Sequence, residues 1–255
     1  MIRRKAQPAA GFVHPDAIDL IDREGEHDIG LENSAETAAG YLTWIANVCD
    51  PYLGHRVLEV GAGVGGVTAG YESGREVVAS DLSPVAVEGL QRRFAETPNV
   101  EVVGADLRTY ETDEKFDSIL MVNVLEHIHQ DAEALKGLTR MLKPGGNFVI
   151  WVPALNGIYG EWDHIAGHYR RYSRWRLRGV FAAAGLEAID IRYHNSLAVL
   201  PWLAFRNSTG SDEDGRLQKL SLWERTGVPA TKFIEGHVRP PLGLNLLAVA
   251  RVPFK

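Results

Sequence analysis

The stretch that decides the fold is Val57-Leu-Glu-Val-Gly-Ala-Gly-Val-Gly-Gly-Val-Thr68. Its apolar start, residues 57–60, predicts a buried strand of a parallel sheet. Four glycines follow within six residues, at 61, 63, 65 and 66, and they allow a tight turn because no Cβ stands in the way. A helix is expected to begin near Val67. A strand, a glycine turn and a helix form the unit that brings backbone against a nucleotide-like ligand in an α/β sheet.

The glycine pattern alone leaves the ligand open. Gly61, Gly63 and Gly66 also fit the dinucleotide fingerprint, so NAD, FAD and S-adenosylmethionine (SAM) are all compatible with it. Asp81 closes a second apolar run, and it lies about 20 residues beyond the first glycine, where an acid can bind ribose hydroxyls. Both NAD and SAM carry that ribose, so Asp81 does not separate them.

Three further segments extend the pattern in order along the chain. An apolar run ends at Asp106, Phe116-Asp-Ser-Ile119 opens another strand, and Leu142-Lys-Pro-Gly-Gly146 is a turn that leads into a fifth. With the glycine turn and Asp81, this series resembles the class I SAM-dependent methyltransferase family. The resemblance covers roughly residues 40–193 and a final strand near 245–252. A Rossmann-type dehydrogenase, the other enzyme class that fits the glycines, does not predict the Leu-Lys-Pro-Gly-Gly turn.

Composition narrows the class of protein. The chain has 255 residues, 45% of them hydrophobic and 24% charged, which suits a globular protein with one substantial core. The net charge of −6 disfavours nucleic acid as a partner, because phosphate binding relies on Lys and Arg. No apolar run approaches the roughly 20 residues that span a bilayer, and no apolar stretch follows Arg3-Arg4-Lys5 as in a signal peptide. A cytoplasmic location is therefore expected, with the single cysteine, Cys49, in the core.

The alternation of patterns predicts an α/β fold: a doubly wound, mostly parallel seven-stranded sheet of the Rossmann-like methyltransferase type. Strands are expected near residues 56–60, 76–81, 100–104, 116–121, 147–152, 186–193 and 246–252. Helices are expected near residues 34–49, 64–72, 84–96, 131–141 and 174–184. The ligand should lie at the carboxyl ends of the first four strands.

Two regions flank or interrupt this sheet. Residues 1–50 are predicted to form an N-terminal arm and a helix before a SAM-binding domain over residues 51–255. About 50 residues separate the last two strands, far more than a usual connection. We therefore expect residues 195–245 to form an inserted cap on the substrate side. The alternative is that this segment packs against the sheet or against a partner subunit, and a homodimer is one such arrangement.

The resemblance implies SAM as the cofactor and gives roles to residues at the ends of the first four strands. Glu59 is expected to face the methionyl ammonium, and Asp81 to accept hydrogen bonds from both ribose hydroxyls. Asp106 matches the acid that bonds the adenine amino group. The cofactor-binding set implied in this way is Glu59, Gly61, Ala62, Gly63, Asp81, Leu82, Asp106, Leu107 and Asn123. Structural roles for the acids, as a strand ion pair, a helix cap or a turn residue, stay open.

A first cluster with catalytic potential follows strand four. Glu126 and His127 match an adjacent pair found in many small-molecule members of the family. A subset that uses magnesium has Glu where this chain has Asn123, and one carboxylate is a poor site for a hard cation, so no metal site is expected. His127 is a candidate general base. It could equally serve only to close the wall of the site.

A second cluster, residues 159–173, follows strand five. It resembles a D-H-x-x-G-H-x-R-R-Y pattern of uncharacterised bacterial methyltransferases, with a GHYRRY-like segment at its centre. His168 and His164 are further candidate bases. The predicted substrate contacts are Trp162, Tyr169, Arg170 and Tyr172, by aromatic stacking and by anion binding. In the structural alternative, Arg170 or Arg171 pairs with Asp163 or Glu161, and Ser173 caps the next helix.

The sequence thus predicts a methyltransferase that moves a methyl group from SAM to an oxygen or nitrogen atom of a small molecule. An acceptor in RNA or protein is the main alternative. A non-catalytic SAM-binding protein is a further one, and an NAD-dependent dehydrogenase remains the other enzyme class.

Overall fold

The computed structural model describes residues 38–106, 112–207 and 221–254. Several predicted features lie outside these residues: the N-terminal arm, the start of the first helix, Leu107 and residues 208–220 of the expected cap. The strands are β1 (Arg56–Val60), β2 (Glu76–Asp81), β3 (Val100–Gly104), β4 (Phe116–Val122), β5 (Leu142–Pro153), β6 (Glu187–His194) and β7 (Asn245–Arg251).

All seven strands join one sheet in the order β3-β2-β1-β4-β5-β7-β6. The first five pair in parallel, whereas β7 runs antiparallel to both of its neighbours, β5 and β6. This confirms a mixed, mostly parallel seven-stranded sheet. The carboxyl ends of β1 to β5 share one edge, so residues that follow these strands are brought together there.

The helices are α1 (Ala39–Cys49), α2 (Pro84–Arg93), α3 (Asp131–Thr139), α4 (Glu161–Ile165), α5 (Arg174–Ala183), α6 (Val199–Phe205) and α7 (Val228–Glu235). Apolar residues of α1 and α2 pack on one face of the sheet, and those of α3 and α5 on the other. Cys49 lies in the first of these cores, as predicted. No helix in the described part of the chain is long and apolar enough to cross a bilayer.

Strand β5 shows why both faces are covered. Phe148, Ile150 and Val152 point to one core, and Val149 and Trp151 to the other, and all five side chains are fully buried. Successive side chains of a strand alternate between the faces of its sheet. A strand that is apolar at every position therefore needs helices on both sides.

The predicted helix over residues 64–72 is wrong. The chain forms turns there and a single 3₁₀ turn at Thr68–Gly70. Gly65 has a left-handed backbone, with φ of +79°, which interrupts a right-handed helix. A Cβ at Gly65 would lie 2.4 Å from Phe94 Cε2, so the backbone packs directly on the end of α2. The glycine segment therefore packs closely against the end of α2 and does not form a helix.

Other boundaries shift by a few residues. Helices α2 and α3 end at Arg93 and Thr139, before the predicted limits. Strand β5 begins at Leu142, so the predicted turn at residues 142–146 belongs to the start of the strand. Its register against β4 shifts at this point, and Gly145 has a φ of +77°. The glycines therefore form an irregular strand start rather than a separate turn.

The segment between β6 and β7 contains helices α6 and α7. The Trp202 indole of α6 donates to Ile158 O (3.2 Å), in the loop after β5. Near α7, Glu224 Oε1 accepts from the Tyr41 amide (3.0 Å) at the start of α1. This segment is thus joined to the loop after β5 and to the start of α1. Its predicted role as a substrate cap, and the division of the chain at residue 50, stay predictions.

Candidate active site

The glycine turn after β1 is held against the end of β2. The Ala62 amide donates to Ser80 O (2.9 Å), and the Gly63 amide donates to Asp81 Oδ2 (2.8 Å). Gly61 and Gly63 have φ values of +68° and +55°, a left-handed conformation that glycine adopts at little cost. A Cβ at Gly61 would clash with Val124, whereas one at Gly63 would meet nothing within 4 Å. The turn therefore leaves open space beside Gly63 and next to a carboxylate.

Asp81 is fixed at the sheet edge by two backbone donors. Its second oxygen, Oδ1, accepts from the Ser83 amide (3.0 Å), and Ser83 Oγ in turn caps α2. The next residue, Leu82, is half exposed. A carboxylate has about four acceptor positions, so Asp81 retains capacity for hydroxyl donors of a ligand. The predicted ribose contact is compatible with this geometry.

Glu59 lies beneath the glycine turn and is almost fully buried. Its Oε2 accepts from Thr68 Oγ1 and from the Tyr71 hydroxyl, both at 2.7 Å. Burial raises the pKa of Glu59 to about 7, although the two hydrogen bonds oppose this shift. In this structure Glu59 thus ties β1 to the segment after the glycines. Its contact with the methionyl ammonium stays a prediction.

The other two described cofactor residues follow β3 and β4. Asp106 is half-buried just beyond the end of β3. Asn123 is exposed, has a left-handed backbone with φ of +53°, and donates its amide to Trp151 O (2.8 Å). Asn tolerates this conformation better than most residues. The contact of Val124 with the glycine turn places Asn123 at the same edge as Gly61.

The structure brings together three side chains that are far apart in the sequence. Glu126, His127 and His168 each offer a ligand atom, and these atoms lie within 4.8 Å of one another. The two imidazole rings meet edge to face, with centroids 4.8 Å apart. His168 Nε2 lies 4.0 Å from Glu126 Oε1. We call these three residues the Glu126 cluster.

The carboxyl group of Glu126 is unusual. It is fully buried, and neither of its oxygens has a hydrogen-bond partner among the described residues. Burial raises the pKa of Glu126 to about 8, the backbone of Glu126 itself and Arg171 oppose the shift, and the negative charge of Asp163 adds to it. Buried polar groups in folded proteins are nearly always paired. An unpaired carboxyl group that faces two histidines therefore marks a site with a further role.

Asp163 positions His168. Asp163 Oδ1 lies 2.9 Å from His168 Nδ1, while Oδ2 accepts from Arg171 Nε (2.8 Å) and the Gly160 amide (3.0 Å). Burial alone would raise the pKa of Asp163, but these three donors outweigh it and lower the pKa below its usual range. A carboxylate at Nδ1 places the imidazole proton there and leaves the Nε2 lone pair toward the Glu126 cluster.

Sequence reasoning assigned Asp163 only a structural pairing with arginine. The short spacing of five residues between Asp163 and His168 could have suggested their contact.

The remaining predicted residues separate into two groups. His164 and Tyr169 are exposed, and Trp162 is half-buried; the Tyr169 ring meets His129 edge to face at 5.1 Å. His164 and Tyr169 are therefore accessible to solvent.

Arg170 and Tyr172 are engaged by the chain itself. Arg170 donates to Ile128 O (2.9 Å), His129 O (2.9 Å) and Asp131 Oδ2 (3.0 Å). Tyr172 is fully buried, and its single hydroxyl proton lies within reach of two acceptors, Leu125 O and Asp131 Oδ2, both at 3.1 Å. This leaves Tyr172 no surface for a substrate. The structural alternative holds for Arg171, which pairs with Asp163, and for Ser173, which caps α5.

The raised pKa of Glu59 predicts a pH-dependent stability in the absence of ligand. In the unfolded chain the carboxyl group ionises near its ordinary pKa of 4.5, whereas in the folded chain it keeps its proton up to about pH 7. The folded state then binds more protons than the unfolded state. The protonated Glu59 therefore contributes fully to the free energy of unfolding below pH 4.5, and this contribution is lost as pH rises to 7. We expect the free energy of unfolding of the native chain, relative to Glu59→Gln, to fall by about 1–3 kcal/mol between pH 5 and pH 8. Urea unfolding at both pH values measures this difference.

Glu88→Gln is the matched control, because it changes the same chemical group on the exposed side of α2. A difference between the native chain and Glu59→Gln that is the same at pH 5 and pH 8 would contradict the assignment of a proton to buried Glu59.

Parts of this chain are similar to known proteins. Residues 57–146 match the family model described as a methyltransferase domain. A demethylmenaquinone methyltransferase of Clavibacter sepedonicus is 37% identical over 102 residues, which are 39% of this chain and 42% of that protein. A ubiquinone biosynthesis O-methyltransferase of Alkalilimnicola ehrlichii is 32% identical over 113 residues, which are 42% of this chain and 45% of that protein. The chain therefore matches less than half the length of each of these relatives.

A solved structure shares the fold over nearly the whole chain. It is the 1,6-didemethyltoxoflavin-N1-methyltransferase of Burkholderia thailandensis, with bound 1,6-didemethyltoxoflavin and S-adenosylhomocysteine. It is 21% identical, with a TM-score of 0.60, and the match covers 97% of this chain and 94% of that one. The glycine turn and Asp81 lie within the segment that the family model matches. Residues 57–146 are thus similar to a methyltransferase domain, and the fold of the chain is similar to that of a solved methyltransferase.

Proposed function

We propose that this chain transfers the methyl group of SAM to an oxygen or nitrogen atom of a small molecule. One observation carries the proposal: the Gly63 amide and the Asp81 carboxylate are joined at an open position on the carboxyl edge of the sheet. The methyltransferase family model covers both residues and supports SAM as the ligand of this edge.

The cofactor end of the proposed site fits the parts of SAM. Asp81 offers acceptor capacity to the two ribose hydroxyls, and the exposed side chain of Leu82 offers an apolar surface to adenine. The backbone of residues 61–63 can approach a ligand closely, because Gly63 faces open space. Asp106 lies beyond the next strand along the edge, where the adenine amino group is expected.

The acceptor end is proposed to lie beside the Glu126 cluster. His127 follows β4 and His168 lies in the loop after β5, so both are at the carboxyl edge that also holds Asp81. Trp162 and Tyr169 supply aromatic surface for an apolar or aromatic acceptor. We assign Arg170 to holding its own loop, because its guanidinium already bonds three acceptors of the chain.

SAM supplies an activated methyl group, so transfer needs an acceptor lone pair in line with the methyl–sulfur bond, which then breaks to leave S-adenosylhomocysteine. The residues of the chain orient the acceptor, exclude water and take up the proton that it releases. His168 is suited to the last role, because Asp163 fixes its Nδ1 proton and leaves Nε2 able to accept. His127 lies against His168 and is the second candidate.

The net charge of the chain and the names of its relatives support a small-molecule acceptor rather than RNA. The chain is acidic, with a net charge of −6, whereas RNA binding relies on Lys and Arg. The two curated relatives are named for quinone compounds, and the compared structure for a toxoflavin precursor. We propose that residues 195–245 cover this acceptor, which would favour a pocket over an open groove.

Asp81→Ala is expected to weaken the binding of SAM and of S-adenosylhomocysteine by about tenfold or more, because a hydrogen bond to a charged group contributes about 1.5–3 kcal/mol. Asp81→Asn keeps the shape but has one acceptor oxygen instead of two, so it can keep only one of the contacts with the Gly63 and Ser83 amides, and an intermediate loss is expected. Isothermal titration calorimetry measures both affinities, and thermal unfolding shows whether the variants fold. Native-like affinity in a folded Asp81→Ala variant would place the cofactor elsewhere.

His168→Ala is expected to lower methyl transfer by about 100-fold, the usual contribution of a positioned acid–base group, with SAM affinity within about twofold of native. His55→Ala is the matched control, because His55 is an exposed histidine just before β1, at the opposite edge of the sheet, and should leave turnover near native. The assay follows labelled methyl from SAM into pooled phenols, quinols, amines, RNA and peptides. Transfer to RNA or peptide alone would overturn the small-molecule acceptor, and an equal loss of SAM binding would give His168 a structural role.

A further inference from the structure

We propose that a cavity beside strand β6 binds the phosphate or carboxylate group of a small molecule. The cavity has a volume of about 380 Å³, and three arginines line it: Arg174, Arg192 and Arg239. The site does not depend on methyl transfer. Strand β6 is the last strand of the sheet and lies four strand spacings of about 4.8 Å from β1, so roughly 19 Å separate it from the strand that carries the glycine turn.

The two carboxylates in the cavity wall are already engaged by the chain. Asp190 Oδ2 lies 2.7 Å from Arg192 Nε. The Glu235 side chain is only 4% exposed; its Oε1 accepts from the amide and the hydroxyl of Ser196, both at 2.8 Å, and its Oε2 lies 2.9 Å from His194 Nδ1. These contacts pair Arg192 with an acid and leave the other two arginines without one.

Arg174 and Arg239 are the arginines available to a ligand. The Arg174 guanidinium lies over the Tyr193 ring, with Cζ 4.5 Å from its centroid, and no carboxylate of the described residues pairs with it. Arg239 is exposed and likewise has no acidic partner in the described part of the chain. Each guanidinium carries five N–H donors in a planar fork that matches the oxygens of a phosphate or carboxylate. Two such groups at one cavity therefore favour an oxyanion as its occupant.

The charge around the cavity differs from that of the whole chain. Three arginines outnumber two carboxylates in its lining, whereas the chain has a net charge of −6. A phosphate monoester carries a charge of about −1.5 to −2 at pH 7 and has three acceptor oxygens. A doubly charged anion thus suits two unpaired guanidinium groups better than a singly charged one does.

Both of these arginines stand on constrained backbone. Arg239 precedes Pro240 and Pro241, and a residue before proline is restricted to extended conformations. Arg174 is the first residue of α5, which Ser173 caps, and stacking on Tyr193 restrains its side chain further. Groups that are held before the ligand arrives lose less conformational freedom when it binds.

The remaining wall suits the organic part of a ligand. Residues 190–194 of β6 line the cavity on one side, and the rings of Pro240 and Pro241 line it elsewhere. Within the described sheet β6 pairs with β7 alone, so its outer edge has backbone amides that the sheet does not use. A ligand with an anionic group at the arginines could place apolar atoms against the prolines. This composition favours a small organic anion over a free inorganic ion.

Calorimetric titration of the full chain with inorganic phosphate tests the proposal, with succinate and acetate as comparison anions at constant ionic strength. We expect one saturable site per chain that binds phosphate more tightly than acetate. Arg174→Gln and Arg239→Gln should each lower the phosphate affinity by about tenfold or more, because each removes hydrogen bonds to a charged group. Tighter binding of phosphate than of succinate would support a phosphate-bearing ligand, and the reverse order a dicarboxylate.

Arg178→Gln is the matched control. It removes the same charge from α5 at an exposed position outside the cavity, where Arg178 lies over the Trp175 ring at 5.5 Å, and it should leave phosphate affinity native. Circular dichroism and thermal unfolding show whether each variant folds. An equal loss in Arg178→Gln, or no saturable binding of phosphate or succinate to the native chain, would overturn the site. SAM binding, measured on the same preparations, should be native in all three variants.

Discussion

The hydrogen bond from the Gly63 amide to the Asp81 carboxylate is the constraint on which the ligand edge depends. It joins the turn after β1 to the end of β2 and fixes a carboxylate beside open backbone. Gly61 allows this because it has no Cβ, so the side chain of Val124, just beyond β4, can pack against the turn. Three neighbouring strands are thereby held so that the residues that follow them converge on one volume. Glu59 supports the same turn from below through Thr68 and Tyr71.

A second network organises the other half of the edge. Asp163 links His168, Arg171 and the Gly160 amide, and the Arg171 guanidinium lies over the Trp202 ring of α6 at 4.1 Å. The loop after β5 is thus connected to the segment between β6 and β7 through buried charge rather than through apolar packing alone. One carboxylate thus holds both His168 and the arginine that contacts α6.

The sheet could be predicted from sequence because its strands are short apolar runs bounded by glycine, proline or acid, and each of the seven was expected within a few residues of its observed place. The helix predicted after Gly63 was wrong, because Gly65 packs against Phe94. This contact depends on the tertiary fold and cannot be predicted from the local sequence. Asp81 was identifiable from its spacing to the glycines. The Glu126 cluster was not, because His168 joins Glu126 and His127 only when the loop after β5 folds back across the end of β4. The same folding buries Tyr172, whose aromatic side chain had suggested a substrate contact.

The central claim is that this edge binds SAM, and native mass spectrometry of the purified chain with and without added SAM tests it most directly. The account predicts a one-to-one adduct of SAM or S-adenosylhomocysteine, which Asp81→Ala reduces while the folded charge-state distribution is kept. A native chain that shows no adduct in excess SAM would contradict the account, and it would leave this structure with the fold of a methyltransferase but not its ligand.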